Sequence, residues 1–185
     1  ALVDTIVLCE KQAAALGNKH LILTPGNYGE SFLQENRIAS DAVAIVKCSN
    51  FIGEALDMAA EYGFSTVLLV GHVGKLVKLA GGIMNTHSRW ADCRTELICA
   101  HAAVCGAGQP LCQALMQAAT TDACLELLKQ AGLQEQVMAS LLSAIQTHLE
   151  RRAAGAYRVG AVLFSNEHGE LGRTKETEGL IHLWK

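Results

Sequence analysis

The chain has 185 residues, half of them apolar, with a formal charge of −3 and seven cysteines. This length suits a single domain with a sizeable core, while the acidic balance and the lack of an apolar run near about 18 residues exclude nucleic acid and membrane as expected partners. An odd cysteine count without a CxxC pair predicts a reduced, cytoplasmic protein rather than a disulfide framework.

In the first half of the chain, short apolar runs typical of buried strands alternate with amphipathic stretches typical of helices. The predicted helices are 3–16, 30–37 and 51–62, the last with Ser49 or Asn50 as its N-cap, and the predicted strands are 21–24, 42–46 and 67–70. A further helical pattern follows the third strand. Strand–turn–helix units in succession predict a parallel sheet with right-handed crossovers.

The second half changes character. Residues 91–154 carry no strand pattern and predict a block of three or four helices, inserted before strands at 159–164 and 180–184. The polar segment 165–179 between these strands fits a loop or an irregular hairpin. We therefore expect one α/β domain over 1–185, with three α/β/α layers, a mainly parallel sheet and a helical insertion. Because the chain begins inside a helical pattern without Met, we also expect a piece of a longer protein.

Three polar turns follow the three strands, at 25–29, 47–50 and 71–75. Ligands bind at the carboxyl ends of parallel strands, so turns on neighbouring strands converge on one rim with free backbone N–H groups. The alternative for any single turn is that its glycines serve only the tight chain reversal. Three such turns in register favour a ligand site.

A local cluster of basic residues lies at and after the third turn, in an otherwise acidic chain. A solvated helix surface is the alternative, above all for Lys78, but the cluster surrounds a helix start and a polar loop, which indicates an anion site. The segment GHVGKL is not a phosphate-binding P-loop, because it has too few residues between its glycines and no Ser or Thr after the lysine. His101 and Cys105, four apart, fit buried helical packing better than a metal site, and no metal is expected.

A resemblance to the cobalt-precorrin-5B C(1)-methyltransferases of anaerobic cobalamin biosynthesis is carried by four segments: GNYG at 26–29, KCSNFIGEALD at 47–57, GHVGKLVKLAGGIMNTHS at 71–88 and ADCR at 91–94. The resemblance implies transfer of a methyl group from S-adenosylmethionine to C-1 of cobalt-precorrin-5B, giving cobalt-precorrin-6A. Members of the family are about twice as long, so this chain is similar to the C-terminal portion, without the N-terminal domain.

Given that reaction, the glycine-rich turns are the expected donor site, and the basic cluster is expected to bind an acceptor fringed with carboxylates. His72 or His87 is expected to manage a proton at the ring, and the sequence does not choose between them. The expected donor-binding residues are Gly26, Asn27, Tyr28, Gly29, Ser49, Asn50 and Gly71. The expected substrate-binding residues are Lys75, Lys78, Asn85, Arg89, Asp92 and Arg94.

Two other readings stay open at this point. The chain could be a non-catalytic module that binds a corrinoid or a nucleotide, in which case His72, His87 and Asp92 need not approach the rim. It could instead be a structural half that docks the other domain, which predicts a large exposed apolar patch. The oligomeric state is also open, a homo-oligomer included.

Overall fold

A five-stranded sheet organises the fold, with its strands in the order β2-β1-β3-β4-β5. The computed structural model describes residues 2–38 and 40–184. The first four strands are parallel, and β5 forms an antiparallel hairpin with β4. The predicted mainly parallel sheet is therefore confirmed. The strands are β1 His20–Thr24, β2 Val43–Lys47, β3 Thr66–His72, β4 Arg158–Ser165 and β5 Gly169–Arg173.

Helices connect the strands as the sequence pattern predicts. The block between β3 and β4 contains four longer helices, in agreement with the three or four predicted for residues 91–154. The helices are α1 Leu2–Ala15, α2 Gly29–Glu35, α3 Ile52–Glu61, α4 Val73–Leu76, α5 Arg94–Val104, α6 Gln109–Met116, α7 Thr121–Gln130, α8 Gln134–Ala153 and α9 Thr177–His182, with a 3-10 helix at Val77–Gly81.

Both faces of the sheet are covered, which explains why the three inner strands, β1, β3 and β4, are mostly apolar and buried along nearly their whole length. Side chains on β3 alternate between two cores: Val67 and Leu69 pack on one face, and Leu68 and Val70 on the other. The first face is covered by α1, α3 and the helical block, and the second by α2 and α9. These are the three layers expected from the sequence. None of the helices in the described ranges has the length and apolar content needed to cross a membrane.

Two local predictions are wrong. Residues 180–184 are not a strand: α9 extends to His182, and Leu180 and Trp184 both pack in the second core. Neither Ser49 nor Asn50 caps α3: the helix begins after Phe51 without a side-chain cap. Ser49 has a φ of 53°, and the Asn50 side chain bonds elsewhere. The hairpin alternative for residues 165–179 is confirmed by β5.

The chain changes direction beside β1, and this determines where a cleft can form. From β1 it passes through α2 on the second face to β2, and then returns through α3 on the first face to β3, on the other side of β1. The turn after β1 therefore leads to the second face, while the turn after β3 leads to α4, whose Val73 and Leu76 pack in the first core. Adjacent loops that diverge in this way leave a crevice at the carboxyl edge of the sheet.

A buried acid in α1 makes the stability of the fold depend on pH. Glu10 is fully buried, and neither of its carboxylate oxygens has a hydrogen-bond partner within the described part of the chain. Burial raises the pKa of Glu10 to about 8. The folded state therefore holds a proton that the unfolded state releases above pH about 4.3.

We predict that the free energy of unfolding falls as the pH rises from about 5 to about 8, by up to about 1.4 kcal/mol per pH unit. Glu10→Gln, which carries no proton to lose, should remove most of this slope in urea unfolding at several pH values. Glu61→Gln, at the exposed end of α3, should retain it. Equal slopes for the wild type and Glu10→Gln would contradict the assignment.

Candidate functional site

An open cleft of about 590 Å³ lies at the carboxyl edge of the sheet, where the turns after β1 and β3 diverge. We call it the first cleft. Its volume is within the range of small-molecule sites. It is lined by Pro25, Gly26, Asn27, Tyr28, Asn50, His72, Gly74, Lys75, Lys78, Thr86, His87, Ser88, Arg94 and Asn166.

The first cleft contains one or more residues from each of the three predicted turns, represented by Tyr28, Asn50 and His72. Nine of the residues singled out from the sequence line it together. The structure thus brings these side chains to one place, while their individual roles stay predictions. The nine are Gly26, Asn27, Tyr28, Asn50, His72, Lys75, Lys78, His87 and Arg94.

Two predicted glycines, Gly29 and Gly71, do not line the cleft. A Cβ added to Gly29 would lie 2.8 Å from Cβ of Thr24, and one added to Gly71 would lie 2.8 Å from Cγ of Pro25. Both positions need glycine so that the turns after β1 and β3 can pack closely against neighbouring chain. Their contribution is to the shape of the cleft floor.

Four other predicted residues also lie off the first cleft. Ser49, Asn85 and Arg89 line a smaller groove of about 260 Å³, together with Leu2 and Trp90 among others. Asp92 is more than half exposed and forms an ion pair with Arg94. These side chains shape or adjoin the cleft wall and do not face its interior.

One wall of the cleft is made by the segment after the 3-10 helix, which is tied to the start of α3. The Thr86 backbone N–H donates to the Asn50 carbonyl over 3.0 Å, and the Thr86 hydroxyl donates to Asn50 Oδ1 over 3.1 Å. Asn85 bridges to Phe51, and the Gly53 N–H donates to the Met84 carbonyl. The turn after β2 and the polar loop 83–91 are therefore one connected unit.

Lys78 holds this polar loop from below. Its side chain is only 1% exposed, so the solvated-surface alternative is wrong for this residue. The ammonium donates to the carbonyls of Thr86 at 3.0 Å and Ala91 at 2.8 Å, and to the Ser88 hydroxyl at 3.4 Å. Burial is the largest influence on the Lys78 pKa and lowers it. Three hydrogen bonds use all three N–H groups, so the predicted substrate contact has little left to donate.

Lys75 differs from Lys78 in having no bonding partner. Its side chain is half-buried, and no hydrogen bond or ion pair to it occurs among the described residues. Burial lowers its pKa, and the nearby Lys78 charge acts in the same direction. Its Nζ lies 3.6 Å from the position that a Cβ on Gly26 would take, so the ammonium faces the turn after β1. An anion in the cleft would supply the missing partner.

Arg94 brings a second cation to the cleft at the start of α5. Its Nε and one terminal nitrogen donate to the two carboxylate oxygens of Asp92, over 2.5 and 3.1 Å. This pairing raises the pKa of Arg94 and lowers that of Asp92. A bidentate partner orients the guanidinium and leaves its remaining donor groups for a ligand.

Both predicted histidines line the first cleft, each with its Nδ1 already accepting a hydrogen bond. His72 Nδ1 accepts from the Gly74 N–H over 3.1 Å, which caps α4, and His87 Nδ1 accepts from the Arg89 N–H over 3.1 Å. The neutral form of either ring therefore carries its proton on Nε2. The geometry gives the two rings the same tautomer and does not choose between them.

Comparison with known proteins assigns the family. Residues 85–175 match the family described as "CbiD, C-terminal domain". This part of the chain belongs to the CbiD family. The resemblance noted in the sequence is thus confirmed, including the expected correspondence to a C-terminal portion.

The similar curated proteins share the name cobalt-precorrin-5B C(1)-methyltransferase. The one from Ruminiclostridium cellulolyticum is 43% identical over 92% of this chain and 44% of the relative. The relative from Alkaliphilus metalliredigens is 33% identical over 100% of this chain and 48% of its own length. The relative from Listeria monocytogenes is 37% identical over 91% of this chain and 46% of its own length. The chain therefore spans about half the length of these CbiD relatives. No solved structure matches it.

Asn166, the lining residue that follows β4, was not predicted from the sequence. Because β4 is parallel to β3 and ends at the same edge, the rule used for the first three strands would have found it. Ser165 positions this turn: its hydroxyl donates to Asp122 on α7 and accepts from the Glu167 N–H over 3.0 Å. Thr86 and Ser88 were also missed, because they lie inside a loop whose path no strand pattern predicts.

One group of side chains in the described part of the chain has the composition of a metal site. Asp122, Glu167 and His168 can bring one ligand atom each to within 4.8 Å of one another. They come from the first turn of α7 and the hairpin between β4 and β5. The Ser165 hydroxyl already bonds to Asp122 there. His101, which was weighed as a metal ligand from the sequence, is not in this group. Its Nδ1 bonds to the Ser140 hydroxyl over 2.8 Å.

We predict that Lys78→Met destabilises the chain by about 2–4 kcal/mol, because the buried carbonyl of Thr86 and the half-buried carbonyl of Ala91 lose their donor. Lys75→Met is the matched control: this neighbouring lysine has no hydrogen bond or ion pair within the described part of the chain, so its removal should cost less than about 1 kcal/mol. Urea unfolding followed by circular dichroism measures both. A Lys78→Met variant as stable as Lys75→Met would contradict the conclusion that the Lys78 hydrogen bonds stabilise the polar loop.

Proposed function

We propose that this chain forms the methyl-donor site and part of the acceptor site of a cobalt-precorrin-5B C(1)-methyltransferase, with S-adenosylmethionine as the donor. The names of the CbiD relatives support the reaction. The chain spans about half of their length, so turnover is assigned to the longer protein. The observation that carries the proposal is a cleft at the strand-order reversal that is lined by cations and, among the described residues, by no carboxylate.

The charge of the first cleft suits the proposed acceptor. A macrocycle fringed with carboxylates needs cationic partners, preferably ones that are not already neutralised. Lys75 is half-buried and has no partner among the described residues, and Arg94 has donor groups beyond those that Asp92 uses. Lys78 contributes indirectly, by holding the loop that carries His87 and Ser88.

The turn after β1 suits the donor. Gly26 has a φ of 89°, a conformation that favours glycine, and this exposes the backbone of the turn next to Lys75. Asn27 and Tyr28 are exposed side chains with hydrogen-bonding groups, as the polar ends of the donor require. Asn50 is committed to Thr86, and Ser49, Gly29 and Gly71 do not face the cleft, so their proposed contribution is to its shape.

When bound, the donor supplies a methyl group on a sulfonium: the S–CH₃ bond breaks with its electron pair staying on sulfur as the ring carbon provides the pair for the new C–C bond. The protein's contribution to such a displacement is positioning and electrostatics. His72 and His87 are the imidazoles on the cleft wall, and one of them is proposed to take up a proton from the ring.

The position of the histidines favours this reading over a non-catalytic module, since both line the cleft. Asp92 does not line the cleft, and its proposed role is to orient the guanidinium of Arg94. The docking reading keeps one observation in its favour: Leu2 and Trp90, which are 50% and 72% exposed, line one groove beside the cleft. The rest of a longer protein could cover this groove, and such docking is compatible with methyl transfer in the first cleft.

We predict that S-adenosylhomocysteine, the demethylated donor, binds to this chain. Isothermal titration calorimetry on the chain, and on a longer protein that contains it, measures the affinity. Binding with a 1:1 ratio is expected. No detectable heat with either protein would overturn the donor assignment.

We predict that Lys75→Ala and Arg94→Ala each weaken binding of the cobalt-precorrin acceptor by about tenfold or more, since each removes a charge-assisted hydrogen bond. Affinity for the donor should be unchanged or tighter. Arg89→Ala, a cation of the same region that does not line the cleft, is the control. Equal losses for donor and acceptor in a folded protein would remove this assignment.

A further inference from the structure

A second cleft of about 480 Å³ adjoins the first, and Tyr28 and Asn166 line both. It lies between α2 and the hairpin of β4 and β5, on the face of the sheet that α2 covers. The second cleft is lined by Tyr28, Ser31, Phe32, Glu35, Asn36, Phe164, Ser165, Asn166, Gly169 and Glu170. The first cleft takes no residue from α2, so the two are different environments.

The two clefts carry opposite charges. The described lining of the first cleft has lysine and arginine but no carboxylate, whereas that of the second has Glu35 and Glu170 but no lysine or arginine. Glu170 is paired bidentately with Arg173, over 2.6 and 3.0 Å. Glu35 has no hydrogen-bond or ion-pair partner among the described residues, so its carboxylate is available to a ligand.

The floor of the second cleft is aromatic. Phe32 and Phe164 stack with ring centroids 4.4 Å apart and ring planes 7° from parallel. Two small polar residues, Ser31 on α2 and Asn36 directly after it, also line the cleft. An apolar floor with a few polar groups is the usual form of a small-molecule site. A free carboxylate at such a site is the group that binds the hydroxyls of a ribose in nucleotide-binding sheets.

We propose that the second cleft binds the nucleoside end of the methyl donor, with Glu35 accepting hydrogen bonds from the ribose, while the first cleft binds the acceptor. This inference rests on the proposed methyl-transfer function and divides its site into two. The donor is a sulfonium cation, so placing it wholly beside Lys75 and Arg94 would be electrostatically unfavourable. The turn at Gly26 and Asn27 then lies toward the amino-acid end of the donor.

Calorimetry with S-adenosylhomocysteine tests this division when the second cleft alone is altered. Ser31→Trp fills it with a large side chain, and Glu35→Gln removes the carboxylate without changing its size. Gln34→Trp is the matched control, because Gln34 is on the same helix but lines a different groove. We expect the dissociation constant to rise at least tenfold for Ser31→Trp and about three- to tenfold for Glu35→Gln. Gln34→Trp should bind as the wild type does.

The outcomes separate the inference from the function on which it rests. Wild-type affinity in both Ser31→Trp and Glu35→Gln would overturn the second cleft as the nucleoside site and leave methyl transfer standing. Absence of binding by the wild-type chain, and by a longer protein that contains it, would overturn both. If Ser31→Trp and Gln34→Trp lose structure by circular dichroism, Glu35→Gln decides: a weakened affinity supports the division, and an unchanged one overturns it.

Discussion

The reversal of strand order beside β1 is the constraint on which the rest of the structure depends. β1 and β3 are hydrogen-bonded neighbours, but the chain leaves them toward opposite faces of the sheet. Backbone N–H groups and polar side chains at the ends of these two strands cannot be covered by either layer of helices. They remain open at one edge, and both clefts form there.

The reversal of strand order alone would leave a shallow opening. The polar loop 83–91, held by hydrogen bonds, adds a wall that deepens it. In this loop Thr86 bonds to Asn50, and the Lys78 ammonium donates hydrogen bonds to the carbonyls of Thr86 and Ala91. The cost of burying one lysine is offset by three hydrogen bonds with the loop it holds. Lys78 therefore holds the wall of the first cleft in place, whereas Lys75, three positions earlier, faces the interior of that cleft.

Much of this arrangement could be predicted from the sequence, because it depends on patterns of short period. Apolar runs followed by polar turns identified the strands and the edge at which Tyr28, Asn50 and His72 meet. The same rule, extended to β4, would have included Asn166. The helical block was recognisable from the absence of any strand pattern.

What could not be predicted depends on contacts between distant parts of the chain. Lys78 has the appearance of a surface lysine in the sequence, and only the folded loop at Thr86 and Ala91 shows it to be buried. The second cleft needs α2 and the β4–β5 hairpin, about 130 residues apart in the chain, to face each other. Residues 180–184 were mistaken for a strand because five residues are too few to separate a period of two from one of 3.6.

Hydrogen–deuterium exchange, measured by mass spectrometry with and without S-adenosylhomocysteine, tests most directly whether the strand-order reversal forms the binding site. Exchange should slow in residues 25–36 and 164–170, the backbone on either side of the reversal, and stay unchanged in α6, which lies in the helical block away from both clefts. Slowing confined to α6 or another segment remote from the carboxyl edge of the sheet would contradict the account.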